Sequence, residues 1–135
     1  MDKCKPVQTP LPSHFRLSCQ QCPNSDTEKA GMNKYPYSSA VGCLMYAMVL
    51  TRPDLSHAMS VVSRYMANPG KDHWRAIVWI LRYLAGTTGY GLIYGAEKYE
   101  EVSVEGYVDA YYAGDLDKRR SLTGFLFMLN GCTIN

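Results

Sequence analysis

Apolar residues recur at helical spacing through the middle of the chain. One stretch shares a single helix face: Tyr37, Val41, Leu44, Met45 and Met48. A second stretch follows a break at residues 51–54: Leu55, Ala58, Met59, Val62 and Met66. A third follows a break at residues 68–70: Trp74, Ile77, Val78, Leu81 and Leu84. The pattern predicts three consecutive helices, the last of which ends in the glycine-containing run at residues 86–89.

Two residues at the first break have positions typical of a helix start. Pro53 suits the first turn of the second helix, and the charge of Asp54 suits its positive end. Within the first helix, Gly42 costs about 1 kcal/mol relative to alanine. We therefore expect Gly42 to permit the close approach of a neighbouring helix.

The period of the apolar pattern changes after residue 89. Residues 92–94, 102–112 and 122–129 are short, rich in β-branched and aromatic side chains, and bounded by turn residues, so each predicts a strand. The first two strands pair only if the intervening loop, residues 95–101, folds back. Helices followed by strands predict an α+β fold: a three-helix unit and then an incomplete antiparallel sheet.

Residues 1–35 have the composition of a linker. Four prolines interrupt the segment, polar residues fill most of the remainder, and the apolar anchors are Val7, Leu11, Phe15 and Leu17. We expect an extended, Pro-rich linker that lies along a partner surface without building a core. The predicted organisation is thus a linker over 1–35, a helical segment over 36–88 and a strand segment over 89–135.

Composition narrows the class of protein. Hydrophobic residues make up 47% of the chain and charged residues 19%, which is typical of a globular protein. The formal net charge is +2, so any nucleic-acid contact must come from local patches. The five cysteines are an odd number, no apolar leader opens the chain, and the longest apolar run, residues 40–50, is too short to span a bilayer. We expect an intracellular protein, cytoplasmic or nuclear, with reduced thiols and no signal peptide or transmembrane segment.

Several short blocks resemble the Pol polyproteins of copia-type LTR retrotransposons, and they occur in the order of that family. They are CKP at 4–6, TPL at 9–11, YSSAVGCLMY at 37–46, TRPDL at 51–55, HW at 73–74, ILRYLAGT at 80–87, GYVDA at 106–110 and RSLTGF at 120–125. The resemblance covers nearly the whole chain. It also suggests that Met1 corresponds to an internal methionine of a polyprotein.

The resemblance implies a function for each half of the chain. Residues 36–88 would correspond to the thumb and connection of a reverse transcriptase, and residues from about 90 onward to the first strands of a ribonuclease H-like domain. The parent would be an RNA-directed DNA polymerase with ribonuclease H activity. It would use Mg²⁺ and bind a template–primer duplex or RNA–DNA hybrid together with the remaining Pol domains. The paired aspartates of the polymerase palm would lie before Met1.

By the same resemblance, Asp109 matches the first metal-binding and catalytic aspartate of ribonuclease H. That chemistry needs two Mg²⁺ ions held by about four carboxylates. Tyr111 replaces the family's second aspartate, and the later carboxylates would lie beyond Asn135. Asp115 and Asp117 match no family position and are expected in a solvated turn. We therefore expect Asp109 to be a vestigial ligand in an incomplete metal site, with no bound cofactor and no catalysis by this chain alone.

The third predicted helix carries a candidate nucleic-acid-binding face. Arg75, Trp79 and Arg82 recur at helical spacing, and Lys71 precedes them at the positive end of the helix, next to His73. Two guanidinium groups beside an indole could hold a phosphate backbone and stack a base. The alternative is that Trp79 packs against a missing domain and the arginines form a solvated rim. The basic run at residues 118–120 is a second candidate, more typical of a solvated loop.

Cys19 and Cys22 have zinc or redox spacing, but no second pair follows, so the spacing is interpreted as coincidental.

The functional hypotheses are a catalytically inactive Pol fragment, a residual nucleic-acid-binding module, and a module that associates with itself through an exposed apolar surface.

Overall fold

The computed structural model describes residues 4–92 and 102–134. The chain divides into two compact units, Met1–Tyr90 and Gly91–Asn135. Each unit is described by itself below. The division falls two residues after the expected boundary between residues 88 and 89. None of the helices in the described ranges is both long and apolar enough to cross a membrane.

Four α-helices occur among the described residues of the first unit. They are α1 (Asp26–Met32), α2 (Tyr37–Leu50), α3 (Ser56–Val62) and α4 (Lys71–Gly86). Short 3-10 turns at Pro53–Leu55 and Ser63–Tyr65 extend α3 at both ends. The last three helices correspond to the three that the apolar periodicity predicts.

The first helix, α1, lies inside the segment expected to be a linker. The Ser25 hydroxyl accepts a hydrogen bond from the Glu28 amide at 3.2 Å, and the Glu28 carboxylate accepts one from the Ser25 amide at 3.4 Å. This reciprocal capping satisfies two backbone donors at the helix start. The backbone amides of Asn24 and Ser25 hold the pKa of Glu28 below its ordinary value. A serine followed three residues later by glutamate is the sequence signal that would have predicted this helix.

The expectation of an extended linker over residues 1–35 is wrong for its described part. Leu17 is only 4% exposed and belongs to the hydrophobic core, and Val7, Leu11 and Phe15 pack against that core. The Tyr65 hydroxyl donates to the Leu17 carbonyl at 2.9 Å. The four apolar anchors therefore suffice to hold the segment on the helical unit, because burial of each apolar side chain removes surface from water.

The core of the first unit lies between α2, α3 and α4. Its fully buried aliphatic side chains come from all three regions: Val41, Leu55, Val62, Ile77 and Ile80. Tyr37 closes one side, and its hydroxyl donates to the Val62 carbonyl at 2.7 Å. Burial of this phenol raises the pKa of Tyr37.

The buried face of α4 is rotated from the predicted stripe. The buried residues are His73, Ala76, Ile77, Ile80 and Tyr83, whereas Trp74, Leu81 and Leu84 are only half-buried. Periodicity alone excluded histidine and tyrosine from the core. Both are buried here because their polar atoms find hydrogen-bond partners, which removes the cost of desolvation.

The outward face of α2 corrects a second expectation. A Cβ added at Gly42 would meet no described atom within 4 Å, so this glycine permits no close helix approach within the described chain. Met45 is 41% exposed, although the apolar stripe placed it in the core. Tyr46, Val49 and Leu50 are also exposed. The helix carries no charge and presents apolar residues all round its axis.

The second unit contains a three-stranded antiparallel sheet in the order β1-β2-β3. Its strands are β1 (Val104–Tyr111), β2 (Leu122–Leu129) and β3 (Cys132–Thr133). Asn130 and Gly131 join β2 to β3, and both have positive φ angles, as a tight hairpin turn requires. The Asn-Gly pair is the signal by which β3 could have been predicted. Of the predicted strand 92–94, Leu92 is not in a strand, and Ile93 and Tyr94 lie outside the described residues.

An aromatic side chain covers the glycine in β1. Gly106 pairs with Phe127 across the sheet, and a Cβ at Gly106 would lie 3.0 Å from the Phe127 ring. The ring therefore rests on the bare backbone, a recognised way to stabilise a strand glycine. Large apolar side chains on both strands remain exposed, among them Val108, Tyr111 and Phe125.

Candidate functional sites

The TRPDL and ILRYLAGT blocks meet in a polar network that the sequence analysis did not anticipate. Arg52 is only 6% exposed, and its guanidinium donates to both oxygens of the Asp54 carboxylate, at 2.9 and 2.7 Å. The same group donates to the Thr87 carbonyl at 3.0 Å and to the Thr87 hydroxyl at 2.7 Å. The Tyr83 hydroxyl donates to Asp54 Oδ2 at 2.7 Å. Arg52 therefore joins the end of α2 to the last turn of α4.

The network shifts the ionisation of its members in the expected directions. The Arg52 hydrogen bonds hold the pKa of Asp54 below its ordinary value. The carboxylate in turn raises the pKa of Arg52. Desolvation, with a smaller contribution from the Asp54 carboxylate, raises the pKa of Tyr83. Every polar group named is paired within the protein, so the arrangement stabilises the fold rather than presenting a reactive group. The opposite charges of Arg52 and Asp54 inside the TRPDL block were the signal that could have identified it.

The predicted nucleic-acid-binding residues share one face of α4, but they form two pairs with different surroundings. Lys71 and Arg75 are exposed. The Arg75 side chain is 73% exposed and forms an ion pair with Asp72 at 2.7 Å. Such an exposed pair contributes little to stability and leaves the guanidinium available to an anion.

Trp79 and Arg82 are instead contacted by the N-terminal segment, residues 5–15, which we call the strap. The Trp79 indole N–H donates to the Thr9 carbonyl at 2.9 Å, and Arg82 Nε donates to the Lys5 carbonyl at 2.8 Å. Phe15 meets the Trp79 ring edge-on at a centroid distance of 5.6 Å. The strap therefore occupies the half of the face on which a base was expected to stack.

His73 is a core residue and not part of a phosphate site. Its Nδ1 accepts a hydrogen bond from the Gly70 amide at 2.8 Å, and its Nε2 lies 3.3 Å from the Ser18 carbonyl. Its ring stacks on Tyr65 at a centroid distance of 4.0 Å. An acceptor at Nδ1 and a donor at Nε2 describe a neutral imidazole. The histidine thus takes the role of the glutamate or glutamine that usually stands at the third helical position of a capping box.

Asp109 lies in the middle of β1, paired with Gly124 of β2. Alternation along the strand puts Glu105, Tyr107, Asp109 and Tyr111 on one sheet face, and all four are exposed. Glu105 accepts a hydrogen bond from the Tyr107 hydroxyl at 2.9 Å, which raises the pKa of Tyr107. No group of three histidine, cysteine, aspartate or glutamate side chains within residues 4–92 and 102–134 could hold a metal ion. The described residues therefore do not fit a pair of Mg²⁺ ions.

The turn between β1 and β2 corrects one further expectation. Asp115 is buried, not solvated, and its carboxylate accepts hydrogen bonds from the amides of Asp117 and Lys118 at 3.0 and 3.1 Å. This carboxylate shapes the turn and is not available as a metal ligand. Asp117 and the basic residues 118–120 are exposed, as expected of a solvated loop.

Cys19 begins a 3-10 turn and Cys22 follows its last residue, and neither forms a disulfide bond within the described residues. Cys22 packs partly against the hydrophobic core. Neither belongs to a cluster of metal-ligating side chains in the part of the chain that the structure describes.

Comparison with known proteins identifies homologues of the chain. No protein-family model matches the sequence, and no solved structure matches it significantly. The whole chain is 55% identical over 135 residues to the retrovirus-related Pol polyprotein from transposon TNT 1-94 of Nicotiana tabacum, covering 10% of that protein. It is 38% identical over 125 residues to the corresponding polyprotein from transposon RE2 of Arabidopsis thaliana, covering 93% of this chain and 8% of that protein.

A shorter relative also matches. The secreted RxLR effector protein 161 of Plasmopara viticola is 47% identical over 100 residues, which cover 74% of this chain and 69% of the relative. The chain therefore spans most of a short relative but only about a tenth of the polyproteins. The chain is homologous along its full length to part of a retrovirus-related Pol polyprotein from a plant transposon, and over most of its length to part of a second one.

Proposed function

We propose that the chain corresponds to the end of the reverse transcriptase and the start of the ribonuclease H of a copia-type Pol polyprotein, and that it has no catalytic activity by itself. The order of the sequence blocks supports this proposal. The division into compact units supports it too, because the unit boundary separates the ILRYLAGT block from the GYVDA block. In this proposal the sheet is the first part of a ribonuclease H-like fold.

The geometry around Asp109 is the observation that carries the proposed inactivity. A two-metal reaction needs several carboxylates that together hold two ions about 4 Å apart. On the sheet face of Asp109, Glu105 lies four residues earlier in the extended strand and accepts a hydrogen bond from Tyr107. Tyr111, on the same face, carries a phenol and not a carboxylate. Asp115 is held by backbone amides in the adjacent turn. A single carboxylate could attract one hydrated Mg²⁺ ion weakly but could not position a second.

Cleavage of a labelled RNA–DNA hybrid in Mg²⁺ tests this proposal. The expected product yield equals that of the Asp109→Asn variant and of a reaction without protein. Glu105→Gln is the matched control, since it removes another carboxylate from the same sheet face. Cleavage by the unmodified chain that disappears in Asp109→Asn but survives in Glu105→Gln would contradict the proposed inactivity.

A second candidate function is nucleic-acid binding through α4. The observation that favours it is the exposed pair Lys71 and Arg75 at the positive end of a 16-residue helix. Phosphates would be held there by charge, with little recognition of base sequence. Trp79 and Arg82 could take part only after the strap has left them. Template–primer duplexes and RNA–DNA hybrids, which the parent polyprotein would handle, are the proposed ligands.

Self-association is the competing structural role. The exposed apolar residues Tyr46, Val49 and Leu50 on α2 favour it, because a helix that is apolar all round is normally covered. The remaining Pol domains would be the natural cover. Sedimentation of the chain over a range of concentrations separates the two roles: a module that binds nucleic acid stays one size, whereas a self-associating one grows with concentration.

A further inference from the structure

The strap lies along one face of α4 and contacts it at several positions. Its later residues contact the earlier part of the helix: Thr9 meets Trp79, Lys5 meets Arg82, and Pro6 meets Gly86. The two segments are therefore antiparallel.

The helix recognises the strap through its backbone carbonyls. An indole N–H and a guanidinium N–H donate to the carbonyls of Thr9 and Lys5. Neither contact requires a strap amide, so the missing N–H groups of Pro6, Pro10 and Pro12 cost no hydrogen bond with the helix. Prolines also restrict the backbone of an unbound segment, which lowers the entropy lost on docking. Docking of proline-containing segments on aromatic surfaces is a recurrent mode of peptide recognition.

Burial shows that the strap docks less firmly than the residues that follow it. Leu17 is in the core, whereas no residue from 5 to 15 is buried and Val7, Leu11 and Phe15 are half-buried. Segments with little buried surface open at a lower free energy than the whole fold. The strap can therefore leave α4 while the core stays intact.

We infer that this face of α4 is a binding groove for a proline-containing peptide, and that the chain's own residues 5–15 are its exchangeable occupant. The inference goes beyond nucleic-acid binding and stands or falls without it. A strap tethered to the same chain competes at an effective concentration on the order of millimolar. A second copy of the segment, supplied by another molecule, should therefore bind well only after the tethered one has been released.

Release can be engineered at the apolar contacts of the strap. Val7→Asp with Leu11→Asp puts two charges against the core, whereas Gln8→Asp with Ser13→Asp adds the same charges at exposed positions and is the matched control. Both are made in the full chain with Trp74→Phe, so that Trp79 is the only tryptophan. The expected result is several-fold stronger quenching of Trp79 by acrylamide in the first variant and unchanged quenching in the control.

A synthetic peptide of residues 4–16, which contains no tryptophan, then tests exchange. It should restore shielding of Trp79 in the released variant with saturable dependence on concentration, and bind the control variant at least about tenfold more weakly, since there the tethered strap fills the groove. Equal effects of a scrambled peptide, no saturation, or unchanged quenching on release would overturn the inference.

A second variant guards against unfolding of the released chain. A Cβ at Gly86 would lie 2.6 Å from Pro6 Cβ, so Gly86→Ala should displace the strap without touching the core. Adding Pro6→Gly removes that collision, and the double variant should shield Trp79 again. Circular dichroism at each step checks that the helices persist. Shielding unaffected by Gly86→Ala in a folded chain would likewise overturn the inference.

Discussion

The guanidinium of Arg52 meets the carboxylate of Asp54 at two points, Nε to Oδ1 at 2.9 Å and Nη2 to Oδ2 at 2.7 Å. The same guanidinium holds Thr87 at the end of α4. Arg52→Ala removes the guanidinium donors of a partly buried carboxylate, which keeps the Tyr83 hydroxyl, and of the Thr87 carbonyl, which keeps the Tyr90 amide. We predict a loss of about 2–4 kcal/mol in the free energy of unfolding, less than for a fully buried pair because the Asp54 side chain is 36% exposed.

Tryptophan emission during urea unfolding measures that loss, since both tryptophans lie in the helical unit. Arg52→Lys keeps the charge but not the two-point geometry, so its free energy of unfolding should lie between those of the unmodified chain and Arg52→Ala. Arg75→Ala removes an exposed ion pair and should change stability by less than about 0.5 kcal/mol. Equal stabilities of Arg52→Ala and Arg75→Ala would refute the structural role of the network.

The same ion pair predicts a pH dependence. The pKa of Asp54 is lowered from its ordinary value of 3.8 in the folded chain. The folded state therefore binds fewer protons than the unfolded state near that pH. The stabilisation is present above pH 3.8 and is lost as the pH falls through the lower pKa of the folded state. The stability difference between the unmodified chain and Asp54→Asn should be constant near neutral pH and shrink in strong acid. A difference that grows on acidification would contradict the assignment.

His73 is predicted to matter through its hydrogen bonds rather than its volume. His73→Phe keeps an aromatic ring against Tyr65 but loses the acceptor for the Gly70 amide and the donor to Ser18. The buried Gly70 amide loses its acceptor, whereas the Ser18 carbonyl keeps the Gln21 amide as a donor, so the loss in the free energy of unfolding should be about 1–3 kcal/mol. His57→Phe, at an exposed position of α3, is the control and should be nearly neutral. Chemical denaturation of both variants checks the difference, and equal midpoints would refute the capping role.

Two glycines should respond to alanine in opposite ways. Gly70 has extended dihedral angles that any residue adopts, but a Cβ there would collide with the Gln21 carbonyl. Gly42 is exposed within α2 and has open space around it. Gly70→Ala should destabilise the chain markedly, because backbone must move, whereas Gly42→Ala should stabilise it by up to about 1 kcal/mol. Thermal unfolding of the two variants decides, and stabilisation by Gly70→Ala would be inconsistent with the described contact.

The sequence predicted the elements better than their environments. Helical periodicity located α2, α3 and α4, and the run of apolar residues at 122–129 gave β2 its bounds, since each of these patterns is local. The buried positions of His73 and Tyr83 depend on partners tens of residues away, such as Ser18 and Asp54, which no local pattern contains. The packing of residues 5–17 was missed for the same reason, because each anchor is isolated in a proline-rich context.

The candidate sites show the same limit. The common helix face of Lys71, Arg75, Trp79 and Arg82 follows from spacing on α4 alone. The cover over Trp79 and Arg82 does not, because it comes from a segment about 70 residues earlier in the chain. The roles of Asp109 and of nucleic acid stay predictions, as do the ribonuclease H-like character of the sheet and the assignment of the helices to a thumb and connection.

The proposed inactivity and the proposed nucleic-acid contact are tested most directly with one fluorescently labelled RNA–DNA hybrid, whose binding and cleavage are followed in the same sample with Mg²⁺. We predict a hybrid that stays intact and, for the second candidate function, binding that weakens as salt rises, with a shallower salt dependence in Lys71→Ala with Arg75→Ala and no such change in Arg64→Ala. Cleavage that depends on Asp109 would contradict the proposed inactivity, and binding that is absent at low salt or indifferent to Lys71 and Arg75 would contradict the proposed nucleic-acid contact.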